Sequence, residues 1–187
     1  MPRCKNCKDK FTAKHFNQKF CLEKDDCIKA FTIYAKEVKE KQSKQSWNKE
    51  KKERKEANMT HSEWLKILQA VFNTYIRARD KNEPCISCGT TKTNIKYDAG
   101  HFFSQGGFPN VRTDEDNCHK QCSNNCNVSL SGNIHNYRPK LIEKIGIERF
   151  EALELRARTS TLKLSIPEIK EKIQEYKNKI KELKNGN

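Results

Sequence analysis

The chain has 187 residues, of which 34% are apolar and 33% are charged, and its formal net charge at pH 7 is +14. This length suits one or two domains, but the small apolar fraction limits the core, so we expect bound metal to contribute to stability. No run approaches the roughly twenty apolar residues of a membrane span, which excludes a membrane-spanning helix. The positive charge favours a polyanionic partner, although solubility alone would also explain it.

The first predicted element is a zinc knuckle over residues 1–30. It contains two pairs of cysteines, the second spaced more widely than in most knuckles: Cys4, Cys7, Cys21 and Cys27. A Cys-x-x-Cys turn presents two thiolates to one tetrahedral metal ion, and a second pair completes the four ligands. Disulfides would require an oxidising compartment, and the start Met1-Pro2-Arg3-Cys4 is polar and basic rather than an apolar signal segment. We therefore expect a reduced, cytoplasmic protein with structural zinc, whose knuckle is filled by Phe11, Phe16 and Phe20.

Two helical segments are expected before the middle of the chain. Residues 31–58 are rich in Lys, Glu and Gln without a sustained apolar stripe, which predicts either a solvated helix or a flexible basic linker. A capping box then places Thr60 at the N-cap and Glu63 at the third helical position. The helix that follows should end before Pro84 and serve as a scaffold, with one apolar face formed by Trp64, Leu68, Val71 and Tyr75.

The middle of the chain, residues 83–136, contains a second set of paired cysteines. Its zinc-ligand candidates are Cys85, Cys88, Cys122 and Cys126. One strand is predicted over residues 95–103 and a second, shorter one over residues 110–113, with a Gly-Gly-Phe-Pro turn between them. A helix is predicted from near Cys122 to a C-terminal cap at Gly132-Asn133.

Four polar residues of this middle segment could carry out phosphodiester hydrolysis. His101 can accept a proton from water near neutral pH, and Asp98 is a hard oxygen ligand for Mg²⁺ or Mn²⁺. Asn117 could orient His101, and Asn127, next to a cysteine ligand, could offer the metal a second oxygen. In a regular strand Asp98 and His101 point to opposite faces, so only a bulge or a strand end would let both approach one metal. Each residue alone is a weak signal, but their joint order favours a nuclease site over a purely structural zinc ribbon.

The positive charge lies outside this middle segment. Residues 83–136 contain four basic and five acidic side chains. A catalytic metal site uses carboxylate and amide oxygens rather than lysines, so we expect the basic flanks to contact the phosphates of DNA.

An amphipathic helix is predicted over residues 158–187. It begins with a second capping box, from Ser165 to Glu168, with Pro167 in the first turn. Apolar residues then recur at alternating spacings of three and four over less than three heptads: Ile166, Ile169, Ile173, Tyr176, Ile180 and Leu183. This stripe would either pack on its own domain or form the seam of a homodimer.

In combination, these motifs resemble the HNH, or ββα-metal, endonucleases, and more specifically the phage NinG (Rap) recombination family. The matching stretches of the middle segment are Pro84-Cys-Ile-Ser-Cys-Gly89, Asp98-Ala-Gly-His-Phe102, Asn117-Cys-His-Lys-Gln-Cys122, Cys126-Asn127 and Ser131-Gly132-Asn133. The N-terminal cysteines, the charged segment and Tyr137-Arg138 also fit, so the resemblance extends over nearly the whole chain.

The resemblance implies an α+β fold in which a small ββα-metal (HNH-like) core is stapled by zinc and flanked by helices and an N-terminal zinc knuckle. The corresponding domains are a knuckle at 1–30, a basic linker or helix at 31–58, a nuclease domain at 59–157 and an amphipathic helix at 158–187. The fold implies two structural zinc ions and a catalytic Mg²⁺ or Mn²⁺.

The same resemblance implies an activity and a setting. The protein would be a phage or prophage endonuclease of the bacterial cytosol that cuts branched DNA such as Holliday junctions and D-loops. A homodimer through the C-terminal helix would place one active site on each of the two strands that must be cut. Two alternatives stay open: a non-catalytic zinc-ribbon protein that binds nucleic acid as a recombination accessory factor, and a sequence-specific HNH enzyme.

The resemblance also implies a role for each site residue. His101 would be the general base, Asn117 the residue that orients it, Asp98 and Asn127 the catalytic metal ligands, and Cys85, Cys88, Cys122 and Cys126 the ligands of the structural zinc. Three departures from the usual HNH pattern stand out. Asp98 lies three residues before the base instead of directly before it. The last cysteine pair is Cys-x3-Cys, so Cys118 could replace Cys122 as a zinc ligand. Ser131 occupies the usual place of a further ligand of the catalytic metal.

Overall fold

A computed structural model describes residues 1–159 and 163–185. The chain divides into two compact units, Met1–Met59 and Thr60–Asn187. The described elements are, in chain order, α1 (Asp25–Ala57), α2 (His61–Arg79), β1 (Tyr97–His101), a short 3-10 helix (Pro109–Val111), β2 (Cys118–Cys122), a π-helix (Ser123–Ser129), α3 (Ile134–Ile145), α4 (Ile147–Thr159) and α5 (Ile166–Asn185). None of the described helices is both long enough and apolar enough to cross a membrane.

The first unit consists of a small cysteine-rich knob followed by α1. Its buried core is formed by Cys4, Phe11, Phe20, Cys21 and Cys27. Phe16, which was expected to fill this core, is instead fully exposed. The segment 31–58 is a continuous helix rather than a flexible linker, and this helix already begins at Asp25. Among the residues of α1 only Cys27 is buried, so the helix depends on its exposed charged pairs and its own backbone hydrogen bonds.

The helix α2 begins at the predicted capping box and is the scaffold of the second unit. The Thr60 hydroxyl accepts from the backbone N–H of Glu63, and the Glu63 carboxylate accepts from the backbone N–H of Thr60 at 2.7 Å. The helix ends at Arg79, before Pro84 as predicted. Its buried residues are Trp64, Leu68, Gln69, Phe72, Tyr75 and Ile76.

The C-terminal helix α5 packs against α2 within the same chain. The Tyr176 ring lies 5.1 Å from the Phe72 ring and 5.3 Å from the Tyr75 ring, measured between centroids. Ile169 and Ile173 of the predicted seam are also buried. The buried part of the stripe therefore packs on its own domain, which was one of the two alternatives, and homodimerisation stays a prediction. Residues 160–162 and 186–187 of the predicted 158–187 segment lie outside the described residues.

The sheet of the second unit is an antiparallel hairpin of β1 and β2. Its register runs without interruption from Tyr97 opposite Cys122 to His101 opposite Cys118. The first strand is thus shorter than the predicted 95–103. The second strand was predicted over 110–113, and this prediction is wrong, because a 3-10 helix covers Pro109–Val111. Pro109 begins this helix; its ring fixes the backbone φ, and it has no N–H to donate to a neighbouring strand.

A π-helix follows β2 directly and ends earlier than predicted. It covers Ser123–Ser129, whereas the expected cap was at Gly132-Asn133. The reason is a run of left-handed backbone, with φ of 47° at Ser131, 90° at Gly132 and 46° at Asn133. Beyond this turn, α3 and α4 pack around a hydrophobic core. Its buried residues are Ile86, Val111, Tyr137, Leu141, Phe150, Leu153 and Ala157. The α+β class is thus confirmed in a coarse form, as a helix-rich chain with a small two-stranded sheet and two four-cysteine clusters.

The side chain of Gln121 occupies the space beside Gly100 in the hairpin. The fully buried Gln121 amide donates to the Ser87 hydroxyl at 2.6 Å and to the Gly132 carbonyl at 2.5 Å, so its side chain is fixed. A Cβ atom on Gly100 would lie 2.3 Å from Gln121 Oε1 and 2.7 Å from Gln121 Cβ. A side chain at this position would therefore displace a residue that connects the strand to two loops.

We expect Gly100→Ala to lower the free energy of unfolding by roughly 1–3 kcal/mol, because the added methyl group overpacks a rigid site. Thermal unfolding followed by circular dichroism measures this effect. Gly106→Ala is the matched control, since a Cβ atom there has no neighbour within 4 Å, and it should leave the transition unchanged. Equal midpoints for the two variants would show that Gln121 moves aside easily.

Candidate metal centre and active site

Four cysteines of the second unit form a cluster with the geometry of a tetrahedral metal site. The sulfurs of Cys85, Cys88, Cys122 and Cys126 all lie within 4.8 Å of one another. The Cys122 sulfur is 3.7 Å from that of Cys85 and 3.8 Å from that of Cys88. Four thiolates around zinc at about 2.3 Å would stand about 3.8 Å apart, so the cluster matches this ion.

The surrounding backbone supports thiolates in this cluster. The backbone N–H of Cys122 donates to the Cys85 sulfur at 3.3 Å, and that of Cys126 donates to the Cys122 sulfur at 3.4 Å. The Asn133 amide donates to the Cys126 sulfur at 3.4 Å. Such bonds stabilise negative sulfur, as metal ligation requires. The cluster joins the loop before β1, the end of β2 and the π-helix.

Cys118 lies outside the cluster. It is fully buried at the start of β2, and its sulfur is 3.6 Å from Nδ1 of His101. Cys122, at the other end of the same strand, supplies the fourth sulfur of the cluster. Of the two candidates that the sequence left open, the structure therefore brings Cys122 to the metal site.

The first unit contains a second cluster of the same kind. The sulfurs of Cys4 and Cys27 are 3.7 Å apart, and those of Cys7 and Cys21 are 3.9 Å apart. The backbone N–H of Cys21 donates to the Cys4 sulfur at 3.4 Å. The wide spacing between Cys21 and Cys27 is accommodated because Cys27 belongs to the first turn of α1. Both clusters could thus hold a zinc ion.

Asp98 and Asn127 lie side by side between β1 and the π-helix. The Asn127 amide donates to Asp98 Oδ2 at 3.3 Å, and the Ser123 hydroxyl donates to the same oxygen at 2.5 Å. Burial acts to raise the pKa of Asp98, but these hydrogen bonds, together with the Lys96 ammonium 3.6 Å from Oδ1, hold the pKa below its ordinary value. The carboxylate is therefore ionised at neutral pH and about a quarter exposed, as a cation ligand must be.

The cysteine cluster fixes the helix that carries two of these groups. Ser123 follows Cys122 in the chain, and Asn127 follows Cys126. Ser123 and Asn127 are four residues apart on one helix, so both face β1. Ser123 was not among the residues singled out from the sequence. The spacing of four from Asn127, directly after a cysteine ligand, was the signal that could have identified it.

His101 is the last residue of β1, and polar contacts fix its half-buried ring. Its Nε2 lies 2.9 Å from the Arg112 carbonyl oxygen, which can only accept, so we assign the proton to Nε2 and leave Nδ1 unprotonated. The Gln69 amide nitrogen, 3.4 Å from Nε2, is then no hydrogen-bond partner, because both atoms are donors. The Gln105 amide, which sequence analysis also missed, donates to Nδ1 at 3.3 Å.

Burial lowers the pKa of His101 below its ordinary value of 6.5, although the Arg112 carbonyl acts in the opposite direction. The imidazole is therefore neutral at pH 7. In this state Nδ1 can accept a proton, as a general base requires, once the Gln105 amide that donates to it is displaced.

Asn117 does not contact the His101 ring, contrary to the direct orienting role expected from the sequence. Its fully buried amide instead clamps the loop after β1: it accepts from the Phe103 N–H at 2.7 Å, and donates to the Phe103 carbonyl at 3.0 Å and the Val111 carbonyl at 2.9 Å. The Asn117 side chain is occupied by backbone groups because the loop that leaves His101 has no strand partner for them. It therefore positions His101 through the backbone.

The structure brings Asp98 and Asn127 together but does not bring His101 to them. Asp98 and His101 are three positions apart in the sequence, which is about 10 Å along a strand. The unbroken register of the hairpin places their side chains on opposite faces. The bulge that would have joined them is thus absent from the paired strands.

Comparison with known proteins connects this arrangement to one family. The model of the family described as bacteriophage lambda NinG protein matches residues 1–186. Among curated proteins, the chain is similar to Protein ninG of Salmonella phage P22, with 47% identity over 93 residues. It is 46% identical to Protein ninG of Escherichia phage 933W and 45% identical to that of Escherichia phage lambda, again over 93 residues.

Each of these matches covers 50% of this chain and 45% of the relative, so the aligned segment spans about half the length of the curated relatives. No solved structure matches this one.

We expect the purified chain to contain two zinc ions, because each cluster presents four sulfurs at zinc-ligand spacing. Elemental analysis after exhaustive dialysis measures the zinc content. Cys122→Ser should lose one zinc and much of the fold of the second unit, since binding and folding are coupled. Cys118→Ser is the matched control and should retain both ions. Two ions in Cys122→Ser but one in Cys118→Ser would contradict the assignment.

Proposed function

The chain belongs to the NinG family of bacteriophage proteins, and from this premise we propose that it is a metal-dependent DNA endonuclease of the HNH type that cuts branched recombination intermediates. One observation carries the proposal: the Asp98 carboxylate and the Asn127 amide meet between an antiparallel hairpin and the helix that follows it, beside a four-cysteine cluster. The resemblance to the ββα-metal nucleases implies such an arrangement, with a structural zinc in the cluster.

Asp98 and Asn127 are the proposed ligands of Mg²⁺ or Mn²⁺. Asn127 directs Nδ2 at Asp98, and a half-turn of this amide would present its oxygen at the same place. Hard oxygen ligands of this type suit either cation. When bound, the cation would stabilise the charge that develops on a phosphodiester as water attacks it. Ser123 would keep the carboxylate in place through its hydrogen bond to Oδ2.

His101 is the proposed general base. Its Nε2–H is held by the Arg112 carbonyl, and its neutral Nδ1 is the atom that would take a proton from water. Because His101 and Asp98 lie on opposite faces of β1, joint action requires one phosphodiester to be reached from both sides of the strand. The variants described below test, for each of the two residues, whether it is needed for cleavage.

DNA would be held by the basic flanks. The segment 83–136, which contains the proposed catalytic residues, has one more acidic than basic residue, although the whole chain has a net charge of +14. Lysines and arginines outside this segment are therefore the proposed contacts to phosphates. The preference for Holliday junctions and D-loops, and the homodimer that would make paired cuts, are supported by the family resemblance alone.

A second candidate function is a non-catalytic zinc protein that binds nucleic acid during recombination. The separation of His101 from Asp98 favours it, because a purely structural site places no constraint on their distance. Both cysteine clusters would serve equally well in such a protein. A cleavage assay with added divalent metal distinguishes the two functions.

We expect the zinc-loaded chain to nick a synthetic four-way junction when Mg²⁺ or Mn²⁺ is added, and His101→Ala to lower the rate roughly 10²- to 10⁴-fold without loss of junction binding. Asp98→Asn should also abolish cleavage, because it removes the charge that attracts the cation. His135→Ala, a change of an exposed histidine, is the matched control and should cut normally. A wild-type protein that binds junctions but does not cut them would contradict the nuclease proposal and support the non-catalytic function.

The acidic limb of the pH–rate profile should lie below pH 6.5. A general base acts in its unprotonated form, and a pKa lowered from 6.5 keeps His101 unprotonated to more acidic pH. Single-turnover cleavage measured from pH 5 to 8 should therefore be constant at the upper end and fall only in the acidic range. A rate that already falls between pH 8 and 7 would show that the essential base is another group.

A further inference from the structure

We propose that the first unit carries its own binding site for single-stranded DNA, formed by the exposed ring of Phe16 and by the neighbouring groove that Phe31, Tyr34 and lysines line. The site lies next to the first cysteine cluster and uses only residues of Met1–Met59. It is independent of the proposed nuclease function, because none of the candidate catalytic residues takes part.

Phe16 is displayed by a turn that the structure holds in place. The Gln18 side chain accepts from the Lys14 N–H at 2.7 Å and donates to the Phe20 carbonyl at 2.8 Å. The Gln18 N–H also donates to the His15 carbonyl at 3.1 Å. At the tip of this braced turn, Phe16 is fully exposed, although Phe11 and Phe20 of the same knob are buried. The braced turn therefore presents this ring to solvent, where it is accessible to a partner.

A groove runs beside this turn. It has a volume of about 680 Å³ and is lined by both aromatic and basic residues, among them Lys14, His15, Lys19, Phe31 and Tyr34. The Phe31 ring is 42% exposed and packs edge-on against the buried Phe20, with centroids 5.9 Å apart, so its outer part is open to a ligand. The volume lies in the range of roughly 300–1,000 Å³ that holds ligands of nucleotide size.

The charge around the groove is positive. Residues 1–24 contain seven basic and two acidic side chains; of the two acids, Asp9 is paired with Lys24 at 2.7 Å and Glu23 lines the groove. Lys5 and Lys19 stand 5.0 Å and 5.1 Å from the centroid of the Tyr34 ring, so cations and aromatic rings alternate on this surface. A polyanion is therefore the complementary partner.

Aromatic rings and lysines together indicate single strands rather than duplex. Duplex DNA hides the faces of its bases, whereas an unpaired strand offers them for stacking on aromatic side chains while its phosphates contact lysines. An exposed ring such as Phe16 contributes to binding only if a base or another apolar group covers it. Branched DNA contains unpaired or easily unpaired nucleotides near the branch, so such a site could select these substrates.

The test uses the full zinc-loaded chain without added divalent cation, and measures binding of a fluorescein-labelled 15-nucleotide oligo-dT and of a duplex by anisotropy. Phe16→Ala should weaken oligo-dT binding roughly tenfold, because base stacking on one ring is lost, and leave duplex binding within twofold. Phe16→Trp should retain oligo-dT binding. Ile33→Ala is the control, since Ile33 is a 60% exposed apolar residue of the same unit that lies on α1 and not on the turn that displays Phe16.

A second measurement locates the contact in wild type. Oligo-dT with 5-iodouracil, irradiated in the complex, should cross-link to the peptide that contains Phe16 or Phe31, as found by mass spectrometry. Cross-links only to the second unit, or equal loss of oligo-dT and duplex binding in Phe16→Ala, would overturn the proposal. Tenfold tighter binding of oligo-U would overturn the assignment to DNA, and absence of oligo-dT binding would indicate a protein partner instead.

Discussion

The arrangement of the second unit depends on the cluster of Cys85, Cys88, Cys122 and Cys126. A two-stranded hairpin is marginally stable alone, and only about a third of this chain is apolar, so side-chain burial cannot fix the hairpin to the helix that follows it. The sulfurs of this cluster come from three separate segments and stand about 3.7 Å apart, so a metal ion bound there would supply that fixation. Because Asn127 follows one of these cysteines directly, the position of its amide beside Asp98 is a consequence of the cluster.

In addition to the cysteine cluster, a network of buried hydrogen bonds connects α2 to β2. Asp80, at the end of α2, accepts from the Lys120 N–H of β2 at 3.0 Å and is bound by the Arg79 guanidinium at 2.7 Å. Burial acts to raise the pKa of Asp80, but the Arg79 guanidinium holds it well below its ordinary range, so the carboxylate stays charged. Burial lowers the pKa of His119, and the Arg79 guanidinium, which donates to its Nδ1 at 2.9 Å, acts in the same direction, so this histidine is neutral. Such a network gives specificity more than stability, and here it sets how the scaffold helix meets the strand.

Local signals in the sequence predicted the elements that local chemistry determines. The capping boxes, the end of α2 and both cysteine clusters were predicted correctly, because each rests on residues close in sequence or on ligand chemistry. The strand at 118–122 was missed because it has no alternation of apolar and polar residues, although four of its five residues are buried. The contacts of Asn117 and Ser123 depend on segments brought together by the fold, and the exposure of Phe16 depends on a turn held by one glutamine side chain. None of these has a sequence periodicity.

The central claim is that the cysteine cluster positions Asp98 and Asn127 to bind a cation. It is tested most directly by anomalous diffraction from crystals of the zinc-loaded protein soaked in MnCl₂, with data collected at the zinc and manganese edges. The account predicts a zinc peak in each four-cysteine cluster and a manganese peak in contact with both Asp98 and Asn127. Zinc in the clusters with manganese bound only elsewhere, for example at the acidic run of residues 114–116, would contradict it.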